Sequence, residues 1–458
     1  MDRNEFKFVK EYQGCWCIPT LGDDIPGTLH IDNHQIRLEL FGNNIPINSY
    51  KTVDRASGFA FEKDAHKKSF NFHLNELHCI AATAFYNGQT RLLLEVTSII
   101  VSDSQSLQIN NIIGIRIRTQ LMDRWVSDYI VNCFHYDLLP DESNRIKMIF
   151  TPNKNPKLYK SDNLNVFISL GLNWTTPTYQ GYNFTTRSFL NVNIKEPIPF
   201  EKAFEISEHF ILLFSLLWNN NSSPEYVEYL SKESSFIYKQ SDKYSYKYQD
   251  IGSTFIATDY SDFHKGDLQL ILGNWIDLLN KQLNPINTLF ETMSNEHMSP
   301  STVIKNYVTV LDGLTEKIPV KSDGQIKNSK TRLIYDQIIN KIESNLDAIG
   351  MSKDELTQLK NGVLRQTTKD ISLRISTMLN LLSDYVCIRL EPDFCKKAIN
   401  TRNFITHSRT QTDFMYLKNQ YWPLSHCLKK LALSYILYTI GVKSEIARKI
   451  VRVISMEN

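Results

Sequence analysis

The chain has almost no net charge. Its 458 residues carry 51 Lys and Arg against 49 Asp and Glu, a formal net charge of +2. Proteins that bind nucleic acids without regard to sequence have a large excess of positive charge. The near balance excludes that class, so any nucleic-acid site in this chain must be a local basic patch.

The chain also lacks a long hydrophobic run. Its longest apolar stretch lies between Phe210 and Trp218, whereas a membrane-spanning helix needs about 20 residues. The first residues, Met1 to Lys7, have none of the apolar character of a secretory signal. The 7 cysteines, scattered from Cys15 to Cys427, are an odd number and suit reduced thiols better than a disulfide framework. We therefore expect a cytoplasmic protein.

Motifs for bound nucleotides and metals are missing as well. There is no Gly-Lys-Ser/Thr phosphate loop, and no Gly-Ser followed by Asp-x-Asp, the signature of a nucleotidyltransferase. The Cys15-x-Cys17 pair lacks the Cys-x-x-Cys spacing typical of zinc sites. We predict no cofactor and no metal site in this chain.

The first half of the chain has the pattern of β-structure. Short runs with alternating or β-branched residues recur between clusters of Asn, Asp, Gly and Pro, which is typical of a sandwich or a partly closed barrel. A helix is predicted over about 200–218. The predicted strands are Gly27–Ile31, Gln35–Leu40, Ser69–Phe72, Arg91–Val96, Ile112–Arg118, Ile146–Phe150 and Asn165–Leu170.

The second half changes to a helical period. Ser299-Pro300 predicts an N-cap followed by a first-turn proline, and Ser352 with Glu355 fits a capping box. Further helices are expected over about 369–388, 392–405 and 416–440, and a short one from Ser444. The sequence thus predicts an α+β chain, with a β-rich domain over 1–265 and an all-α bundle over 266–458.

One spacing near the end of the chain has chemical meaning. Arg402 precedes His407 by five positions, and Asn403 directly follows the arginine. A histidine can move a proton to or from a ribose oxygen, while a guanidinium can hold the phosphate whose charge grows in the transition state. The pair therefore suggests a ribonuclease, although the spacing alone is weak evidence in a chain with 11 histidines.

The residues around this spacing are basic. Lys396, Lys397 and Arg409 form a short patch that could bind flanking phosphates of an RNA. The simpler alternative is that His407 is a surface histidine and Arg402 a salt-bridged helix residue.

Two stretches near the N-terminus favour the ribonuclease interpretation over this alternative. Gly14-Cys15-Trp16-Cys17-Ile18-Pro19 is followed by Ile25-Pro26-Gly27-Thr28-Leu29 and then by Ile36 to Gly42. Together with the R-N-x-x-x-H pattern at Arg402, they resemble the ApeA-type family of anti-phage proteins. In that family a β-rich N-terminal domain with a G-x-W-x-x-P opening precedes a C-terminal HEPN helical domain.

The resemblance implies a metal-independent endoribonuclease that acts as a homodimer through its HEPN domain. The HEPN site is usually composite, so Arg402, Asn403 and His407 of two chains would line one cleft. The expected substrate is single-stranded or loop RNA, with a tRNA anticodon loop as a candidate. The β-rich domain would sense a phage-derived trigger or restrain the nuclease.

Three alternatives stay open. The chain could be a non-catalytic HEPN scaffold or RNA-binding module, or the toxin half of a toxin–antitoxin pair whose partner is a separate protein.

Two further features have no assigned role in the reaction. Asp312 lies where some HEPN proteins keep an acidic residue, and it is predicted to be a structural cap or salt-bridge partner. The run Tyr238 to Tyr248 interleaves aromatic and basic residues, and it could be an RNA-stacking surface or an exposed strand.

Overall fold

The fold was analysed in a computed structural model, and the chain divides into two compact units. The first contains Met1–Lys281, Met293–Glu296 and Thr439–Ile450, and the second contains Gln282–Thr292, His297–Tyr438 and Val451–Asn458. The residues that the structure describes are 10–32, 35–43, 52–62, 69–85, 88–102, 111–131, 134–138, 146–150, 156–174, 184–220, 224–232, 234–241, 256–264, 266–295, 297–316, 318, 337–359, 371–407 and 415–455.

The first unit contains a closed antiparallel barrel of six strands. They pair in the order β6-β3-β2-β1-β4-β5, and β5 pairs back onto β6 to close the ring. The β-rich, barrel-like prediction is therefore confirmed. The strands are β1 (Lys10–Ile18), β2 (Gly22–Ile31), β3 (Ile36–Asn43), β4 (Thr52–Glu62), β5 (Ser69–Ala84) and β6 (Gln89–Ser102).

The barrel is filled around Trp16, which is fully buried. Its ring lies where a side chain at Gly58 would be, because a Cβ added at Gly58 would overlap the Trp16 ring. A Cβ at Gly27 would lie 3.0 Å from Trp16 Cδ1. Gly27 and Gly58 are thus explained by packing, since a side chain at either position would crowd the Trp16 indole.

Strand β6 joins the barrel to a second half of the sheet. Its Gln89–Glu95 part pairs with β3, whereas its Ser98–Ser102 part pairs with β14. The outer strands follow in the order β14-β13-β7-β12-β11-β10, which gives one twelve-stranded sheet. They are β7 (Ile112–Arg118), β10 (Lys157–Lys160), β11 (Leu164–Trp174), β12 (Phe184–Ile198), β13 (Tyr226–Leu230) and β14 (Ser235–Gln240), while β8 (Phe134–Leu138) and β9 (Ile146–Phe150) form a separate hairpin.

Helices cover and follow this sheet in the first unit. The predicted helix is present at Phe200–Trp218, contacts β7 and buries the continuous run from Phe210 to Trp218. That run was the longest apolar stretch of the sequence, and it is a core helix. The unit also contains the helices Gln120–Trp125, Ser127–Val131 and Ser444–Val451 and a 3-10 turn at Tyr260–Asp262.

The second unit is helical. A long helix, Asp267–Ser294, enters it after a kink at Gln282 and contains Pro285. The unit contains the helices Pro300–Thr315, Leu346–Ile349, Ile371–Leu382, Phe394–His407 and Tyr421–Thr439, with a 3-10 turn at Lys418–Gln420. We call Phe394–His407 the motif helix, and it contacts both Pro300–Thr315 and Ile371–Leu382.

The helix ends largely follow the sequence signals. The Ser299 hydroxyl accepts a hydrogen bond from the Thr302 N–H at 3.3 Å, and Ser352 and Glu355 make the reciprocal capping contacts. The helix expected over about 369–388 is shorter, because it ends at Leu382. Cys387–Arg389 instead forms a strand, β15, that pairs in parallel with β16 (Val453–Ser455). None of the helices in the described ranges is long and apolar enough to cross a membrane.

Candidate functional site

The motif helix carries Arg402, Asn403 and His407 in its last two turns. It buries Phe394, Cys395, Ala398 and Thr401 on one side. Since successive helical residues are rotated by about 100°, Asn403 and His407 lie about 40° apart and Arg402 lies about 140° from His407. Arg402 therefore lies at the edge of the buried side, while Asn403 and His407 lie on the opposite side.

Arg402 is held by its neighbour. Its Nη1 donates a hydrogen bond to Asn403 Oδ1 at 3.1 Å. Its Nε is buried and has no hydrogen-bond partner among the residues that the structure describes. An unpaired buried donor of this kind is costly, and the cost is relieved when an anionic oxygen accepts from the guanidinium. Asn403 therefore orients the arginine.

His407 is the last residue of the motif helix, and its side chain is exposed. In the last turn of the helix, the Thr406 hydroxyl donates a hydrogen bond to the Arg402 carbonyl at 2.8 Å. The segment that follows, 408–414, lies outside the described residues, and so does the predicted RNA contact Arg409. An imidazole at an exposed helix end can reach a substrate from solvent.

The two predicted lysine contacts have different surroundings. Lys396 is exposed, on the same side of the helix as Asn403 and His407. The ammonium of Lys397 lies 2.5 Å from Glu391 Oε2 and 5.9 Å from the centre of the Tyr416 ring. Lys397 thus takes part in an ion pair within the chain.

A polar network that the sequence did not reveal anchors the motif helix. Thr401 Oγ1 donates to the Lys397 carbonyl at 2.7 Å and accepts from the Tyr416 N–H at 2.9 Å. The Tyr416 hydroxyl donates to Glu391 Oε1 at 2.6 Å. Glu391 lies 25 positions before Tyr416, so no local pattern could have joined them. We call Glu391, Lys397, Thr401 and Tyr416 the anchoring network.

The network shifts the pKa values of Glu391 and Tyr416. Hydrogen bonds from Lys397 and then from Tyr416 lower the pKa of the Glu391 carboxyl below its usual value of 4.5. Burial and the hydrogen bond to Glu391 raise the pKa of the Tyr416 hydroxyl well above its usual range. At neutral pH Glu391 is therefore a carboxylate that accepts, and Tyr416 is a neutral phenol that donates to it.

Asp312 is a salt-bridge partner, as the sequence predicted. Its carboxylate accepts from Nη2 of Arg374, and its carbonyl lies 3.3 Å from Arg374 Nη1. Arg374 is only 5% exposed. The pair lines a cleft of about 250 Å³ together with Asn284, Thr288, Thr309 and Glu316. Within the described ranges, no three His, Cys, Asp or Glu side chains lie together as a metal ion would need.

The run from Tyr238 is described only as far as Ser241. Tyr238 lies in β14, and burial raises the pKa of its hydroxyl to about 12. Phe204 lies against its ring, with the two ring centres 5.3 Å apart. At this position the run is a packed strand, and the residues after Ser241 lie outside the described part of the chain.

Two family profiles match the chain. The profile of ApeA N-terminal domain 1 matches residues 11–278, more than half of the chain, and the profile of the Apea-like HEPN domain matches residues 306–446. The chain belongs to the ApeA family. The second match contains Arg402, Asn403 and His407, and also Asp312. No curated protein and no solved structure gives a significant match.

Membership of the ApeA family confirms the resemblance on which the sequence analysis relied. It also indicates the general function, because a HEPN domain behind an ApeA N-terminal domain points to an RNase-type activity in anti-phage defence. HEPN domains commonly dimerise and bind RNA.

Proposed function

We propose that this ApeA-family protein is a metal-independent endoribonuclease of anti-phage defence, with Arg402 and His407 as its catalytic residues. The observation that carries the proposal is Arg402 at the edge of the motif helix. Its guanidinium is oriented by Asn403 and has a buried Nε without a partner in the described part of the chain, inside a HEPN match.

The proposed reaction is a transphosphorylation. The imidazole of His407 takes the proton from a ribose 2′-OH, and the 2′ oxygen attacks the adjacent phosphorus. The bond from phosphorus to the 5′ oxygen breaks, and a second His407, from another copy of the chain, gives that oxygen its proton. Arg402 stabilises the equatorial oxygens, where negative charge increases. The products are a 2′,3′-cyclic phosphate and a 5′-OH.

This division of roles requires two copies of the chain. One histidine begins the reaction unprotonated and the other protonated, on opposite sides of the phosphorus, as in-line attack requires. A two-fold axis beside the exposed end of the motif helix would supply the second His407 and a second Arg402. The proposed active unit is therefore a homodimer with a shared cleft.

The local charge supports RNA as the substrate. Between Phe394 and Thr439 the sequence has seven Lys and Arg residues and a single acid, Asp413. The rest of the chain is then net acidic, since the whole carries only +2. Because the whole chain is nearly neutral, a nucleic-acid site in it has to be a local basic patch, and the segment around the motif helix is such a patch.

The chemistry restricts the substrate further. Without a 2′-OH there is no nucleophile, so DNA is not cleaved. In-line attack needs a nucleotide that can leave A-form stacking, which favours unpaired RNA, and a tRNA anticodon loop is the proposed class. The barrel unit would then respond to a phage-derived trigger and control the nuclease.

The test is RNA cleavage by the purified full-length protein in EDTA. We expect cleavage with 2′,3′-cyclic phosphate ends, no cleavage of the same sequence as DNA, and loss of at least about 100-fold in Arg402→Ala and His407→Ala. Lys353→Ala is the control, since it removes an exposed cation from the same HEPN match but outside the basic segment around the motif helix.

Two results would contradict the proposal. If both variants cut as well as the wild type, the motif is not catalytic. If the wild type binds RNA but never cuts it, with binding lost in the same two variants, the chain is an RNA-binding module without catalytic activity. Sedimentation of every variant shows whether the dimer persists, so that a loss of activity is not a loss of assembly.

A further inference from the structure

Trp422 is unusually exposed. It lies in the first turn of the helix Tyr421–Thr439, and its side chain is 61% exposed, more than any other large hydrophobic residue in the described ranges. The four other tryptophans with described side chains are at most 3% exposed. Exposure of an indole costs free energy, so its position on the surface needs a reason.

His426 holds the indole from one side. The two ring centres are 4.7 Å apart with the planes tilted by 60°, and Nδ1 of His426 lies 3.3 Å from the Trp422 carbonyl oxygen. Partial burial, with a contribution from two nearby lysines, lowers the pKa of the His426 imidazole below its usual value of 6.5. The histidine is therefore neutral at physiological pH, and it orients the indole without covering it.

Two lysines continue the same side of the helix. At about 100° per residue, Trp422, His426 and Lys429 lie within about 60° of one another, and Lys430 borders them. Burial and the neighbouring Lys430 lower the pKa of the Lys429 ammonium. Further along this side the helix is packed, since Leu433 is only 3% exposed. The exposed indole and imidazole and the two half-buried lysines thus lie within the first three turns.

The charge of this surface identifies its partner. From Leu417 to Thr439 the sequence has three lysines and neither Asp nor Glu. A two-fold contact between two copies would bring the same patch against itself and place lysines against lysines. A polyanion with flat, accessible rings matches both the cations and the indole, and single-stranded RNA has both features.

We propose that Trp422, oriented by His426, is a stacking platform for one base of single-stranded RNA, with Lys429 and Lys430 beside the backbone of the same strand. We call these four residues the stacking surface. The inference rests on the proposed RNA substrate but not on catalysis, because the surface would position the RNA and takes no part in breaking the bond. It is a substrate-positioning site outside the motif helix.

The test uses the full-length His407→Ala protein, which does not cut the probe. A fluorescein-labelled single-stranded oligoribonucleotide is titrated and its anisotropy measured. Adding Trp422→Ala should lower the affinity by about 5- to 150-fold, the range for loss of one stacked base, and Trp422→Phe should recover most of it. The same RNA as a duplex, whose bases are already stacked, should show no dependence on residue 422.

Leu417→Ala is the matched control, since Leu417 is 51% exposed and lies just before the helix but has no ring. Its affinity should stay within about 2-fold of the parent. Three results would overturn the inference: an equal loss in Leu417→Ala, no loss in Trp422→Ala, or dissociation of the assembly by Trp422→Ala in sedimentation. The last would assign the surface to contact between copies.

A kinetic measurement separates this inference from the proposed reaction. In the otherwise wild-type protein, Trp422→Ala should raise the RNA concentration needed for half-maximal rate and leave the maximal rate unchanged. If the protein binds RNA through Trp422 and never cuts it, the stacking surface stands and the ribonuclease proposal falls. If the Trp422→Ala variant cuts RNA with unchanged kinetics, the ribonuclease proposal stands and the stacking surface falls.

Discussion

Replacing Thr401 by valine tests the anchoring of the motif helix. Thr401 has no exposed surface, and its hydroxyl accepts the Tyr416 N–H at 2.9 Å. Valine has nearly the same shape, so the change creates no cavity. It leaves the Tyr416 N–H buried without an acceptor, which costs about 1–3 kcal/mol. The Lys397 carbonyl, to which the Thr401 hydroxyl also donates, loses less because it can still accept the helical backbone N–H.

Thr401→Ser is the matched control. Serine keeps the acceptor and removes one methyl group, which costs about 0.8 kcal/mol. Urea unfolding followed by helical ellipticity should therefore rank the wild type as most stable, Thr401→Ser next and Thr401→Val last. If Thr401→Val is as stable as the wild type, or more stable than Thr401→Ser, the hydrogen bond to Tyr416 does not hold the helix.

Three further changes test other parts of the structure. Gly58→Ala should destabilise the barrel by about 1–3 kcal/mol, because its Cβ overlaps the Trp16 ring. Trp16→Phe should recover part of that loss in thermal unfolding. The Glu391 carboxyl has a lowered pKa in the folded state, so its stabilising effect is complete above about pH 4.5 and is lost as the pH falls through the lower folded value. Glu391→Gln should therefore lose less stability than the wild type below pH 4.5 in acid titrations of unfolding. Asp312→Ala should cost about 3 kcal/mol, since it leaves the buried Arg374 charge uncompensated. Arg374→Met should cost less, because the remaining Asp312 side chain is 32% exposed and can be hydrated.

Most strands and helices could be predicted from local sequence patterns. The bounds of β7, β9 and Phe200–Trp218 coincide with the predicted runs, because alternation and helical spacing are local signals. The closure of the barrel could not be predicted. It depends on β6 pairing with β5 on one side and with the distant strand β3 on the other, and no local pattern encodes such a long-range pairing.

The candidate site, like the fold, could be predicted from the sequence only in part. Arg402, Asn403 and His407 were found from their spacing and from the family resemblance, and their catalytic role remains a prediction. The anchoring network was missed because Glu391 and Tyr416 are distant in sequence and meet only when the chain folds. The ion pair of Lys397 with Glu391 was missed for a related reason, since a lysine in a basic run gives no sign of its partner.

The measurement that tests the shared site most directly is a subunit-mixing experiment. Wild-type and His407→Ala chains are unfolded together in equal amounts and refolded, so that dimers form at random. RNA cleavage is compared with that of an all-wild-type sample at the same total protein concentration, treated in the same way. If each cleft needs His407 from two chains, only wild-type dimers cut, and about one quarter of the activity remains. If about one half remains, each chain acts alone and the account of a composite site is wrong.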